Sequence, residues 1–257
     1  MYGEFFRFEL RYQLRQPLLW LIAAIFGLMA FGATSSDAVT VGSAIGNVWR
    51  NAPSTILNLL GAFSLLSMFL IAIFIAGGML RDYQLNTADL FFSSPAKARD
   101  YLLGRFSAGT AACLLIFIAI VIGMILGQFM PWIDPKRLGP FSLTPFAWGL
   151  LIVVLPNLLF AGALLALLAA LTRSLMMVYL GILAFFVLWI MAGAMTRDLD
   201  NVWVAVLIDP FGLRALSRTL RYWTVEERNT QLPELVGYLL VGAVTAPFAI
   251  PVGPASA

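Results

Sequence analysis

The sequence predicts an all-α, polytopic membrane protein, and three observations predict it. Six long apolar runs, residues 18–33, 56–80, 106–127, 146–171, 175–195 and 235–252, dominate the 257-residue chain. A bilayer core is about 30 Å thick, so a spanning helix needs about 20 mostly apolar residues. The four middle runs meet that length, and the first and last lie near its lower limit. Composition is the second observation: 61% of residues are hydrophobic and 11% charged, where an average soluble domain carries about 25% charged residues. So few charges cannot clothe a soluble surface of this size. The third is that the runs are continuous. Membrane β-strands alternate with period two, so continuous runs read as helices that satisfy their own backbone groups in lipid. The expectation is one membrane domain over residues 1–257, with about six spans.

Residues 1–16 read as an amphipathic helix. Arg7, Arg11 and Arg15 fall on one stripe at i, i+4, i+8. Phe6, Leu10 and Leu14 form an adjacent stripe, widened by Phe5, Phe8 and Tyr12. Such a helix lies in the membrane interface, its rings at the acyl boundary and its guanidinium groups near phosphates. Pro17 ends it and turns the chain into the first span. The length of this segment and its Glu4 and Glu9 argue against a cleaved signal peptide.

Lys and Arg placement sets the expected orientation. With the N-terminus cytoplasmic, Arg7, Arg11, Arg15, Arg81, Lys97, Arg99, Arg105 and Arg173 lie inside. The first two external loops then hold Arg50, Lys136 and Arg137. Residues 196–234 run against the rule, being external yet carrying Arg197, Arg214, Arg218, Arg221 and Arg228.

That stretch has a pattern of its own. Residues 202–208 are apolar but too short to span, and Asp209-Pro210-Phe211-Gly212 reads as a turn. Leu213, Leu216, Leu220 and Trp223 share one helical face, with Arg214, Arg218 and Arg221 opposite. This reads as a second interfacial helix, preceded by a short re-entrant segment. Thr224 and Glu227 have capping-box spacing for a further short helix.

Within the spans, Gly123 and Gly127 form a G-x-x-x-G pair, and Gly162 and Ala166 a related small pair, which let helices approach closely. Pro156, next to Asn157, interrupts the fourth span because its ring removes a helical hydrogen bond. Asn58, Ser64 and Ser67 give the second span a polar seam, either for helix–helix hydrogen bonds or as a pathway lining.

Several chemistries are excluded. The chain has no histidine, which removes Ser-His relays, His-containing zinc sites and haem His ligation. Its one cysteine, Cys113, sits in an apolar run and reads as a small packed side chain. No G-x-x-x-x-G-K-[ST] loop is present, so the chain holds no nucleotide by that device. No catalytic, cofactor or metal residues are assigned, and an intramembrane enzyme lacks its acids or Ser-Lys pair. The net charge of +3 comes without a basic run, so it fits membrane topology rather than nucleic acid.

Residues 79–105 carry the functional expectation. Asn86 or Thr87 can cap a short helix with Asp89 in its first turn. Leu90, Phe91 and Phe92 place bulky apolar groups on a water-facing loop, and Pro95 ends the helix. A second helical stretch, residues 97–104, leads into the third span. Exposed aromatics on a short rigid loop read as a docking knob for a partner.

The order Asp82, Thr87, Asp89, Leu90, then Ser94-Pro95 and Tyr101-Leu102-Leu103-Gly104-Arg105 resembles the cytoplasmic loop of type-2 exporter permeases of ATP-binding-cassette transporters. Residues 5–12, 35–39, 47–53, 209–212 and 222–230 are similar, more specifically, to bacterial permeases fused to a zinc aminopeptidase domain. The resemblance covers residues 1–234. It implies that Thr87, Asp89, Leu90, Phe91, Phe92 and Pro95 couple to a separate ATPase subunit, and that a second permease chain completes the pathway as a homo- or heterodimer. It implies a multi-pass protein of the bacterial inner membrane, its N-terminus cytoplasmic, moving a substrate by alternating access. Residues 235–257 depart from the family pattern. Pro247, Pro251 and Pro254 stand there without a charge, and no peptidase follows, which reads as a shortened or frame-altered family member. A membrane anchor or scaffold without transport activity is the other expectation.

Overall fold

The computed structural model describes residues 1–36, 47–85, 97–195, 211 and 213–233. Among them every regular element is helical. Helix α1 spans Tyr2–Arg15 and α2 spans Pro17–Ser35. Helix α3, Pro53–Ile71, runs through a π-helical turn, Ala72–Ala76, into α4, Gly77–Gln84. Helix α5 covers Ala98–Gln128. Helix α6, Thr144–Trp148, runs through a second π-turn, Gly149–Val154, into α7, Leu155–Thr172. Helix α8 is Leu175–Met195, followed by the short helices α9, Leu213–Leu220, and α10, Val225–Thr230.

Four helices are long and apolar enough to cross a membrane: Pro17–Ser35, Pro53–Gln84, Arg99–Gln128 and Thr144–Thr172. They match the first four apolar runs, and α8 matches the fifth. The run at 235–252 lies outside the described residues. Pro17 and Pro53 each occupy a first helical turn, where their missing N–H costs nothing. Pro156 does disturb its helix, and the disturbance takes the form of the π-turn just before it. Between α7 and α8 the chain turns at Arg173, whose left-handed backbone (φ 51°) closes α7.

The α3–α4 helix is the centre of the bundle, with buried Leu60, Phe63, Leu70, Ile71 and Phe74. Cys113 is buried in the same core, as its apolar setting predicted. Helix α2 lies along α5 at close range. A Cβ on Gly123 would strike the Gly27 carbonyl oxygen, and one on Gly127 would strike the Thr34 hydroxyl and the Phe31 carbonyl. The G-x-x-x-G pair is therefore a backbone contact. The Gly162 pair works differently: its space receives the side chains of Ile75 and Phe106, not a second backbone.

The bundle has two ends. Helix α1, the end of α4, the start of α5 and the α7–α8 turn gather at one, where Arg173 lies over the Tyr83 ring at 5.0 Å. Residues 47–52, 132–139 and 221–230 gather at the other. There the Asn51 amide pairs reciprocally with the backbone of Gly139, at 2.8 and 2.7 Å. The Trp49 N–H donates to the Asn229 side chain at 2.8 Å, and the Ser54 hydroxyl donates to the Arg228 carbonyl at 3.0 Å. The arginines of 221–230 thus lie opposite the α1 end, as the alternation of spans required. Arg228 is committed locally, donating to the Leu220 carbonyl at 2.7 Å.

The face of α9 is as predicted, but its setting differs. Leu216 and Leu220 are buried in a cluster with Leu57 and Val153, and Trp223 packs against it. Phe211 stands among Phe185, Phe186 and Trp189 of α8. Leu213 abuts Gly61, about 12 Å along α3 from Pro53 at 1.5 Å per residue. Phe211 and residues 213–228 therefore climb along α3 from the bundle interior to its end. The apolar face of α9 is satisfied by protein rather than by the lipid interface. Arg221 is exposed, and Arg214 and Arg218 share the helix, their side chains lying outside the described set.

The predicted capping box is present: the Thr224 hydroxyl accepts from the Glu227 N–H, and the Glu227 carboxylate accepts from the Thr224 N–H. The Thr224 N–H, and after it the Thr224 hydroxyl, which donates to the same Oε2 at 2.9 Å, hold the Glu227 carboxyl below its ordinary range. A depressed carboxyl contributes stability above its unfolded pKa and loses it as pH falls through the lower folded value. We expect Thr224→Ala to cost about 1 kcal/mol and to make that acid limb shallower without removing it, because the Thr224 N–H bond remains, read by thermal melts from pH 7 to pH 3.

Candidate functional site

Four charged side chains from three helices meet at the α1 end. Glu9 of α1 is fully buried at 0% exposure, and Arg105 of α5 is 3% exposed. Arg81 and Asp82 come from α4. Arg81 grips Glu9 with both terminal nitrogens, one of them 3.1 Å from Oε1 and the other pairing with Oε2. Arg105 donates through Nη2 to Asp82 Oδ2 at 2.6 Å and through Nη1 to the Gly78 carbonyl at 2.6 Å. Its Nε lies 3.8 Å from Glu9 Oε2, which joins the two pairs into one neutral cluster of two acids and two bases. Neutrality matters, because a buried charge is tolerated only when paired and hydrogen-bonded.

Neutral groups complete it. Tyr101 donates its hydroxyl to Asp82 Oδ2 at 2.6 Å. Gln13, one turn beyond Glu9, donates to Glu9 Oε1 and to the Phe74 carbonyl, both at 3.0 Å. Phe74 belongs to the first π-turn, so α1 is tied to the irregular part of the central helix. The guanidinium of Arg81 lies 4.0 Å from the Tyr12 ring centre, and that of Arg105 lies 4.6 Å from the Tyr101 ring. Such contacts favour a cation over a ring face.

Glycines let the backbones come this close. A Cβ on Gly104 would fall 2.7 Å from Phe5 Cβ and 3.2 Å from the Tyr2 carbonyl. A Cβ on Gly109 would fall 2.8 Å from the Phe74 carbonyl. Residues 101–105 thus divide their work. Tyr101 and Arg105 hold Asp82, Gly104 admits α1, and Leu102 and Leu103 face outward.

The cluster sits where the chain leaves α4 and re-enters α5, so it clamps both stems of the loop between them. Thr87, Asp89, Leu90, Phe91, Phe92 and Pro95 lie outside the described residues. Helix α1 begins and ends as predicted, but its buried face is not the aromatic stripe alone. Phe5 stacks edge-on against Tyr101 at 5.6 Å, whereas Phe8 and Tyr12 are exposed. At the centre of the buried face lie Glu9 and Gln13, opposite the exposed Arg7, Arg11 and Arg15.

The second-span seam also departs from expectation. Asn58 donates to its own helix at the Ser54 carbonyl, 2.9 Å away, and Ser67 to the Ser64 carbonyl at 2.6 Å. These are back-bonds within α3. Among the described residues no group of three Asp, Glu or Cys is placed to hold a metal ion. Comparison with protein families, curated proteins and solved structures returns no match.

Proposed function

We propose that this chain is the permease half of an ATP-binding-cassette exporter in a bacterial inner membrane, with its N-terminus cytoplasmic. A chain of about six spans makes half a pathway, and a second permease chain supplies the other half. ATP is hydrolysed by a separate subunit that docks on residues 86–96, with Thr87, Asp89, Leu90, Phe91, Phe92 and Pro95 as its contacts. Closure of two ATPase subunits pushes this loop and rocks the spans between two accesses.

The observation that supports the reading is the clamp under the loop. A force on a loop with loose stems dissipates in the stems. Here α4, α5 and α1 are joined through Glu9, Arg81, Asp82 and Arg105, so displacement of the loop must move three helices together. The exposed Arg7, Arg11 and Arg15 on α1 suit the phosphates of the adjoining leaflet.

Co-purification from native membranes in mild detergent tests the proposal. A stoichiometric Walker-motif ATPase is expected with the wild-type chain. Phe91→Asp and Asp89→Arg are each expected to lower its recovery at least tenfold while the permease elutes unchanged on gel filtration. Retention through both changes removes the docking assignment. Absence of an ATPase from the wild-type preparation leaves the anchor or scaffold reading in its place.

A further inference from the structure

Helix α1 has an outer face that the charge cluster does not use. Arg7, Arg11 and Arg15 are exposed there, on the side opposite the buried Glu9 and Gln13. Among the described residues none of the three is paired with a carboxylate. Glu4 is the only acid exposed on α1, because Glu9 is taken up by Arg81. The outer face therefore sets three guanidinium groups against one carboxylate. Successive helix positions turn by about 100°, which puts Phe8 and Tyr12 in a row between the two faces, and both rings are exposed.

Exposed arginines alone need no partner, since water solvates them. Two further observations place this stripe beside lipid. The Phe8–Tyr12 row runs along it, and exposed rings are at home where acyl chains meet headgroups. Trp20, in the first turn of the membrane-crossing helix α2, is 58% exposed, and its indole N–H donates to the Leu14 carbonyl at 2.9 Å. A tryptophan with its ring body outward and its polar edge satisfied suits the headgroup level, and this bond ties the end of α1 to that level. Headgroup chemistry then decides which lipid fits. Zwitterionic lipids match each phosphate with an ammonium group and offer the stripe no net charge. Anionic phospholipids do offer one, and each arginine near an anionic leaflet gains about fivefold in association.

We propose that the Arg7–Arg11–Arg15 face of α1 is a docking surface for anionic phospholipid headgroups. Such docking needs the bundle to sit in a bilayer but needs no ATPase partner, so it stands or falls apart from the permease reading.

Photo-crosslinking of the full chain in nanodiscs tests it. Phosphatidylglycerol and phosphatidylcholine, each carrying a diazirine at the same acyl position near the glycerol, are supplied at equal mole fraction. Labelling of residues 1–20 is read by mass spectrometry. The anionic lipid is expected to label this segment more strongly by about fivefold or better. Arg7→Gln, Arg11→Gln and Arg15→Gln together should bring the two lipids level, and the three matching lysine substitutions should keep the preference. Equal labelling by the two lipids in the unaltered chain overturns the proposal, and so does a preference that survives the glutamine changes. Loss of the preference with lysine also overturns it, since the charge is unchanged. Inorganic phosphate distinguishes the source of the anion. Should it remove the preference where chloride at equal ionic strength does not, the surface takes a free anion and the lipid assignment fails.

Discussion

Replacing Glu9 by alanine is expected to cost about 3–5 kcal/mol, the usual consequence of removing one partner from a buried ion pair. The loss is large because Glu9 serves two guanidinium groups and one amide. Without it, Arg81 keeps its stacking on Tyr12 but loses both carboxylate bonds. Arg105 keeps Asp82 and the Gly78 carbonyl, in a cluster that now carries net positive charge. Thermal melting in detergent micelles checks the prediction. Glu4→Ala, one turn earlier on the exposed side of the same helix, is expected to change stability by less than about 0.5 kcal/mol. Adding Arg81→Ala to Glu9→Ala should return part of the loss, since the second change removes the stranded charge. A cycle of these variants isolates the coupling. Strict additivity would mean that the two residues do not act as a pair.

Gly127→Leu should be nearly as damaging, by about 3 kcal/mol, the upper end for an overfilled core. The added side chain would have to occupy space held by Thr34 and the Phe31 carbonyl. Backbone cannot rotate aside as a side chain can, so α2 must separate from α5. Gly162→Leu is the informative comparison. Its neighbours are the ends of Ile75 and Phe106, which have other rotamers, so the expected cost is about 1–2 kcal/mol. Melting temperatures of the two variants should therefore fall in that order. The reverse order would show that the α2–α5 contact is not backbone-limited.

These two predictions differ in how far the sequence foretold them. The glycine pair is visible as a pattern, because a close helix approach needs small residues four apart on one helix. The apolar runs, the capping box at Thr224 and the Leu213, Leu216, Leu220 and Trp223 face are local in the same sense, and all were legible. The charge cluster is not local. Arg81 and Arg105 look like topology charges flanking spans, and nothing nearby in the chain reveals that Glu9 is their partner. A signal did exist. Glu9 and Gln13, one turn apart, interrupt the face that carries Tyr2, Phe5 and Phe6, and polar groups inside an apolar face demand partners. Periodicity also cannot tell an apolar face that meets lipid from one that meets protein, which is why α9 reads as interfacial yet packs against Leu57 and Val153. Back-bonding by Asn58 and Ser67 was hidden for a related reason: their composition says that a bond is needed, not to which helix it goes.

The spacing of contacts along the chain has a consequence for synthesis. Glu9 reaches the bilayer surface early, but Arg81 is 72 residues further on and Arg105 later still. Until both have emerged, the first helix carries an unpaired carboxylate on its inward face and must wait in water or headgroups. The cluster can then close with fewer than half the residues made. The opposite end matures much later, because the Trp49 N–H receives its Asn229 partner 180 residues downstream. Nascent chains halted shortly after residue 130 should therefore have the charge cluster closed, with Tyr83 still awaiting Arg173 and, at the opposite end, Trp49, Ser54 and the Leu57 pocket still awaiting residues 213–230.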